Sequence, residues 1–326
     1  MEIAGYFAHF SIATYGAVIM NYFGFGTGIL KDLLRLSPNK KAAIDHLKIP
    51  KEHMLSWEFG LAELYRPNFF VCWDERTNAI IVSIRGTLNM QECLVDAVCD
   101  YVPFQGGLVH RGFLRCALWL EENMLPKLKD WIQEYKAKAL YLVGHSMGAG
   151  AASLFRMILS DHVLSTDPSF DIKTVCFATT ATASLNLCRQ YESCITTYIN
   201  AQDLVPRVSF GSVKDFHELI LTAADQLSNS STTDEKLLKI SERHQELLDS
   251  DVHLKLYAPG SIYYLYKTSR VGRHQGEPHY ICEKSDALQF SDCRFGENAI
   301  FHHFLDKYDN SLRKVWFCYQ TTLLIS

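Results

Sequence analysis

Short runs rich in β-branched and aromatic residues alternate with longer stretches whose apolar positions recur at helical spacing. That alternation predicts an α/β sheet with helical crossovers. Strands are expected at 69–73, 79–84, 139–143, 174–178, 196–200 and 261–266. The polar run Asp74-Glu75-Arg76-Thr77-Asn78 between the first two reads as a hairpin turn. Phe113, Leu114, Ala117, Leu118 and Leu120 predict a helix in the stretch 111–138, where Pro126 marks a kink or a second helix start. Residues 149–159 are small and apolar, as a helix tucked against a sheet should be. No fixed-period repeat or long low-complexity tract interrupts the pattern.

Two segments stand apart. Residues 3–30 hold no Asp, Glu, Lys or Arg, a run long enough to span a bilayer. His9, Asn21 and several glycines interrupt it, however, and Glu2 is the opposite of a signal peptide's basic start. A buried or membrane-facing amphipathic helix within 1–30 is therefore expected rather than a spanning anchor. The second segment, 229–250, is strongly polar, with Leu237, Leu238, Ile240, Leu247 and Leu248 between its charges. It reads as the centre of a helical insertion over 222–255 within one domain covering 1–326. Both 222–255 and 88–108 are placed in sequence to cover a site mouth and gate access as lids.

Composition narrows the function classes. The chain has 326 residues, 48% hydrophobic and 21% charged, which suits a well-buried core. With 32 basic against 36 acidic residues there is no polybasic footprint, so nucleic acid is excluded as the expected partner. Ten cysteines are scattered singly without a C-x-x-C pair, which fits neither a zinc site nor a small disulfide scaffold. They read as reduced core residues in an intracellular compartment, cytoplasmic or peripherally membrane-associated.

The sharpest chemical signal is Gly144-His145-Ser146-Met147-Gly148, preceded by the predicted strand 139–143 and followed by a helical pattern. A strand-to-helix G-x-S-x-G holds its serine on a strained turn clear of the sheet. The Met147 N–H then lies at a helix N-terminus, where it can stabilise an oxyanion. A serine at its free pKa is a weak nucleophile and needs a base oriented by a third group. In elbows of this kind the acid and then the histidine follow the serine in sequence. Asp203 leaves the predicted strand 196–200 on a loop, whereas Asp215 and Asp225 lack that setting. Six histidines follow between 240 and 310 (His244, His253, His274, His279, His302 and His303), and spacing alone does not choose among them. His145 is a poor base because an elbow points the neighbours of its serine away from it.

These motifs, in this order, resemble the class 3 lipases of the α/β-hydrolase fold, and among them the sn-1-specific diacylglycerol lipase catalytic domains. The resemblance covers 61–308. Ile84-Arg85-Gly86-Thr87 is similar to the family's R-G-T, which places Thr87 with Met147 in the oxyanion hole. Val109-His110-Arg111-Gly112-Phe113 resembles V-H-x-G-F, and Asp203-Leu204-Val205-Pro206-Arg207 resembles the D-x-V-P-R of the triad aspartate. Leu256-Tyr257-Ala258-Pro259-Gly260 is similar to the L-Y-P-P-G of the diacylglycerol lipase branch. Phe301-His302-His303-Phe304 with Tyr308 resembles the segment of the catalytic histidine and selects His303, although His302 stands where the family has an acid.

The resemblance implies a mostly parallel sheet flanked by helices, a Ser146–Asp203–His303 triad, and supporting roles for Asp96, His145 and His110. Glu92 and Asp96 fall where the family places two acids, and Asp96 is expected to orient Thr87. It further implies hydrolysis of acylglycerol or phospholipid esters at a membrane or lipid-droplet surface, without metal or organic cofactor. Two other readings carry their own signatures. A soluble carboxylesterase or thioesterase would use the same triad with a smaller acyl pocket, and a non-catalytic lipase-like signalling module would bind a partner without Ser146.

Overall fold

The computed structural model describes residues 2–60, 65–87, 100–162, 169–228, 231–250, 252–268 and 279–325, without the side chains of 33 and 319–325. Among these, eight strands form one sheet. They are β1 (Met54–Glu58), β2 (Phe69–Asp74), β3 (Ala79–Ile84), β6 (Ala139–His145), β7 (Asp171–Phe177), β8 (Ile195–Asn200), β9 (Ser261–Thr268) and β10 (His279–Ser285), adjacent in that order. The strands from β3 to β9 run parallel, and β1, β2 and β10 are antiparallel edges. A separate hairpin pairs β4 (Tyr101–Phe104) with β5 (Gly107–His110).

The alternation of side chains along each strand divides the core into two layers. Phe69, Val71, Ile80, Val82, Ile84, Leu140 and Leu142 pack with α5 (Arg111–Tyr135) and α6 (Met147–Leu159). Phe70, Cys72, Ile81, Val143, Val175 and Phe177 face the other way, against α1 (Glu2–Ala13) and α10 (Leu305–Ile325). The apolar N-terminal stretch is thus one cover of the sheet, with Phe7, Phe10, Ile12 and Ala13 buried. No helix among the described residues is long and apolar enough to cross a membrane.

Several elements differ from the sequence expectation. The N-terminal run is not one helix. Gly16 takes φ +73°, and a second helix, α2 (Gly16–Tyr22), starts there, with its Ala17 N–H donating to Asn39 Oδ1 at 3.0 Å. Pro126 neither ends nor restarts α5, which runs unbroken through it. The polar insertion begins earlier than 222, as two helices, α8 (Phe210–Ser228) and α9 (Thr233–Asp249). Its base is held by Asp215, which binds both His253 Nδ1 (2.8 Å) and Lys255 Nζ (2.6 Å). Of the lid-like stretch 88–108, residues 88–99 lie outside the described residues, and most of the remainder is the β4–β5 hairpin. The eight described cysteines are free thiols.

Candidate active site

The parallel strands end on one side of the sheet, and the loops that follow them build the site. β6 runs through His145 into Ser146, and α6 begins at Met147. Ser146 has φ 59° and ψ −129°, a conformation costly for a residue with a side chain and held by close surroundings. An ideal Cβ on Gly144 would lie 2.5 Å from Gly148 O. The motif's glycines are therefore a packing requirement of the strand–helix approach. The Met147 N–H stands in the first turn of a 13-residue helix.

Asp203 lies just past β8, where the Asn200 carbonyl accepts from its backbone N–H at 3.0 Å. Its carboxylate receives three donors. His303 Nδ1 sits 3.1 Å from both oxygens, Tyr308 donates to Oδ2 at 2.7 Å, and the Val205 N–H donates to Oδ1 at 3.0 Å. Ser146, Asp203 and His303 are 1%, 0% and 2% exposed, so this pairing is shielded from bulk water. With Nδ1–H directed at the carboxylate, His303 carries its basic lone pair on Nε2. Burial and the adjacent Asp203 charge keep the Tyr308 hydroxyl protonated far above its ordinary range, so it remains a donor.

His302, one residue away, points elsewhere. Its Nδ1 accepts the Gln202 N–H at 3.2 Å, and burial lowers its pKa. His145 is fully buried, and desolvation pushes its pKa well below the ordinary value, so its ring is neutral. Its Nε2–H donates to the His303 carbonyl at 2.9 Å, since a carbonyl can only accept, and its Nδ1 then accepts the Tyr15 hydroxyl at 2.7 Å. Tyr15 lies between α1 and α2 and belongs to no motif; nothing local in the sequence marks it.

Gly86 brings the Thr87 loop against the elbow. An ideal Cβ there would lie 2.7 Å from His145 O and 2.9 Å from Ser146 Cβ. Thr87, His145 and His303 line a cavity of about 220 Å³ whose other walls come chiefly from residues 12–25 and from Phe304 and Leu305. No described residue of 222–255 lines it, so the expected placement of that insertion over the site is not seen at this cavity among the described residues. His110 caps α5, its Nδ1 accepting the Phe113 N–H at 3.3 Å while its ring stacks on Phe113, which is a role in the fold. Asp96 and Glu92 lie outside the described residues.

Residues 81–213 match the family model described as Lipase (class 3). Mouse (Mus musculus) diacylglycerol lipase-beta is 26% identical over 171 residues, covering 49% of this chain and 24% of that protein. Lipase A of Sodiomyces alcalophilus is 30% identical over 160 residues, covering 39% of this chain and 38% of that protein. The chain spans about a quarter or less of the length of the diacylglycerol lipases it matches. Among solved structures, the Rhizomucor miehei lipase propeptide complex aligns with a TM-score of 0.56 at 13% identity, covering 94% of this chain and 80% of that one. A triacylglycerol lipase described as having a serine protease triad at its catalytic centre aligns with a TM-score of 0.51 at 13% identity, covering 81% and 79%. Residues 81–213, which hold the Thr87 loop, the elbow serine and Asp203, are similar to the class 3 lipase family, and the chain has the α/β-hydrolase fold.

Proposed function

We propose that the protein is a serine lipase that hydrolyses acylglycerol esters, diacylglycerol among them, through an acyl-enzyme on Ser146. The observation that carries this reading is the buried His303–Asp203 pair, whose imidazole lies 4.7 Å from the ring of His145, the residue before the serine at the strained elbow. Ser146 Oγ attacks the ester carbonyl as His303 Nε2 takes its proton, and Asp203 stabilises the imidazolium through Nδ1. The N–H groups of Met147 and Thr87 receive the oxyanion, each such donor being worth about 10²–10³ in rate. Collapse of the tetrahedral intermediate breaks the acyl C–O bond, and His303 returns the proton to the departing alcohol oxygen. Water then attacks the acyl-enzyme, giving a proton to His303, and the fatty acid leaves as Ser146 Oγ is reprotonated. His145 and Tyr15 act on the position of His303 rather than on substrate.

The diacylglycerol lipases among the relatives support the glyceride assignment. Peripheral contact with a lipid surface is supported by exposed apolar residues near the cavity. Tyr22 on its wall is 81% exposed, Phe301 packs its ring 6.3 Å from Phe304, and Leu30, Leu34 and Leu36 follow in exposed positions. The free thiols fit a reducing, intracellular setting.

Fluorophosphonate labelling of the full chain, with diacylglycerol hydrolysis in liposomes, tests the assignment. Wild type and His302→Ala are expected to label, while Ser146→Ala and His303→Ala are expected to lose labelling and turnover. Appreciable hydrolysis by a folded Ser146→Ala protein would overturn the reading.

A further inference from the structure

The cavity beside Ser146 takes its apolar wall from outside the family segment. That segment begins at residue 81, yet Ile12, Ile19, Met20, Phe23 and Phe25 line the cavity with His303. Two contacts tie this wall to the site, and a third group of bonds holds its loop. Tyr15 donates to His145, the residue before Ser146, at 2.7 Å. The Phe23 ring centroid lies 5.4 Å from that of Phe304, the residue after His303. The loop that carries Phe25 is held by buried Asp32, which accepts from Asn21 Nδ2 at 2.6 Å and Thr27 Oγ1 at 2.8 Å. The wall is therefore a built part of the site.

We propose that residues 12–25 form the acyl-chain site, which takes one unbranched fatty acyl chain of the ester cleaved at Ser146. This rests on the hydrolase reading above. Thr87, His145 and His303 line the cavity together with this apolar wall, so a chain attached to a carbonyl at the Thr87 oxyanion site has this space beside it. Its lining is predominantly apolar, which suits an alkyl chain. A volume of about 220 Å³ holds roughly seven groups of the ~30 Å³ that one water occupies in the liquid, and a methylene is of similar size. Each methylene buried there should raise kcat/KM by about fourfold. The wall residue Tyr22 is 81% exposed, so the cavity opens at Tyr22 and a longer chain passes out into solvent or lipid.

The test is kcat/KM of the full chain on monomeric p-nitrophenyl esters from acetate to palmitate, with fluorophosphonate labelling run in parallel. Wild type should rise about fourfold per methylene to an acyl length of about eight carbons and then flatten. Ile19→Trp adds bulk from a half-buried position and should lower the octanoate-to-acetate ratio at least tenfold. Phe23→Ala removes bulk and should move the plateau to longer chains, which guards against a variant that merely folds badly. Labelling at Ser146 with a flat wild-type profile, or with ratios that neither variant alters, overturns the acyl site alone. Absence of labelling in folded wild type overturns it together with the hydrolase reading.

Discussion

Tyr308 Oη lies 2.7 Å from Asp203 Oδ2 and also accepts the Asn200 N–H at 3.0 Å, joining α10 to the end of β8 at the acid of the candidate triad. A hydrogen bond to a buried charge contributes about 1.5–3 kcal/mol. Tyr308→Phe should therefore lower the unfolding free energy by about that amount, read from urea melts. Asp203 keeps His303 and Val205 as donors, so fluorophosphonate labelling should persist but slow by about tenfold, the equivalent of ~1.4 kcal/mol. An unchanged melt would show that Tyr308 supports nothing that its ring alone does not.

Tyr15 should matter to rate more than to binding. Its hydroxyl fixes His145 with the proton on Nε2, and that proton meets the His303 carbonyl. Tyr15→Phe keeps the ring on the cavity wall but leaves the buried Nδ1 without this donor, a loss of about 1–3 kcal/mol. The expected outcome is a kcat on a short ester reduced about tenfold with KM nearly unchanged. An equal fall at every acyl length would separate this positioning role from the wall's effect on chain selection. Unaltered kcat would remove Tyr15 from the account of the site.

The site was legible in the sequence where local covalent structure makes the chemistry. The elbow needs glycines on both sides of a serine between a strand and a helix, and those requirements are contiguous. Asp203 could be placed by its position at a strand end. His303 could not be separated from His302 by spacing, because the choice depends on which face of one 3-10 turn meets Asp203. Tyr15 was invisible for a related reason, as its partner lies 130 residues away. The inner strands announced themselves by short runs rich in β-branched and aromatic residues. The edge β1, with mixed burial, and the short β4–β5 hairpin did not. The charge-free N-terminus showed that it needed an apolar environment but not which one, since a sheet face and a bilayer ask for the same residues.

Gly86→Ala tests the close approach of the Thr87 loop to the elbow. The added Cβ would lie 2.7 Å from His145 O, 2.8 Å from the Tyr15 hydroxyl and 2.9 Å from Ser146 Cβ. Two of these neighbours are fixed by the strand and the elbow, so the loop must move. Overpacking of this kind costs about 1–3 kcal/mol in stability. Displacing the Thr87 N–H should cost kcat about 10²-fold or more, the value of one oxyanion donor. A thermal melt and ester kinetics on the same preparation check both, and wild-type kcat in Gly86→Ala would refute the Thr87 assignment.

The pairing of His9 on α1 with His46 on the helix Pro38–Leu47 is expected to lower stability in acid. His9 Nδ1 and His46 Nε2 are 3.0 Å apart, with Asp309 3.7 Å from His9 on α10. Burial, with the His9 ring, Arg313 and Lys48 adding in the same direction, pulls His46 down to about 4 from an ordinary 6.5. His9 is lowered as well, by burial, Arg313 and Lys48 against the opposing pull of Asp309. The unfolded chain takes up the His46 proton near pH 6.5 and the folded protein only near 4. Unfolding therefore draws in a proton between those values, and stability falls as pH drops through the window; below it this site adds no further slope. The His46 contribution is on the order of 3 kcal/mol over the whole window. His46→Gln retains an amide to meet His9 but does not titrate, so urea melts from pH 7 to 4 should show a shallower decline than wild type, by up to about 1.4 kcal/mol per pH unit. Parallel declines in the two proteins would show that His46 is not the group that limits stability in acid.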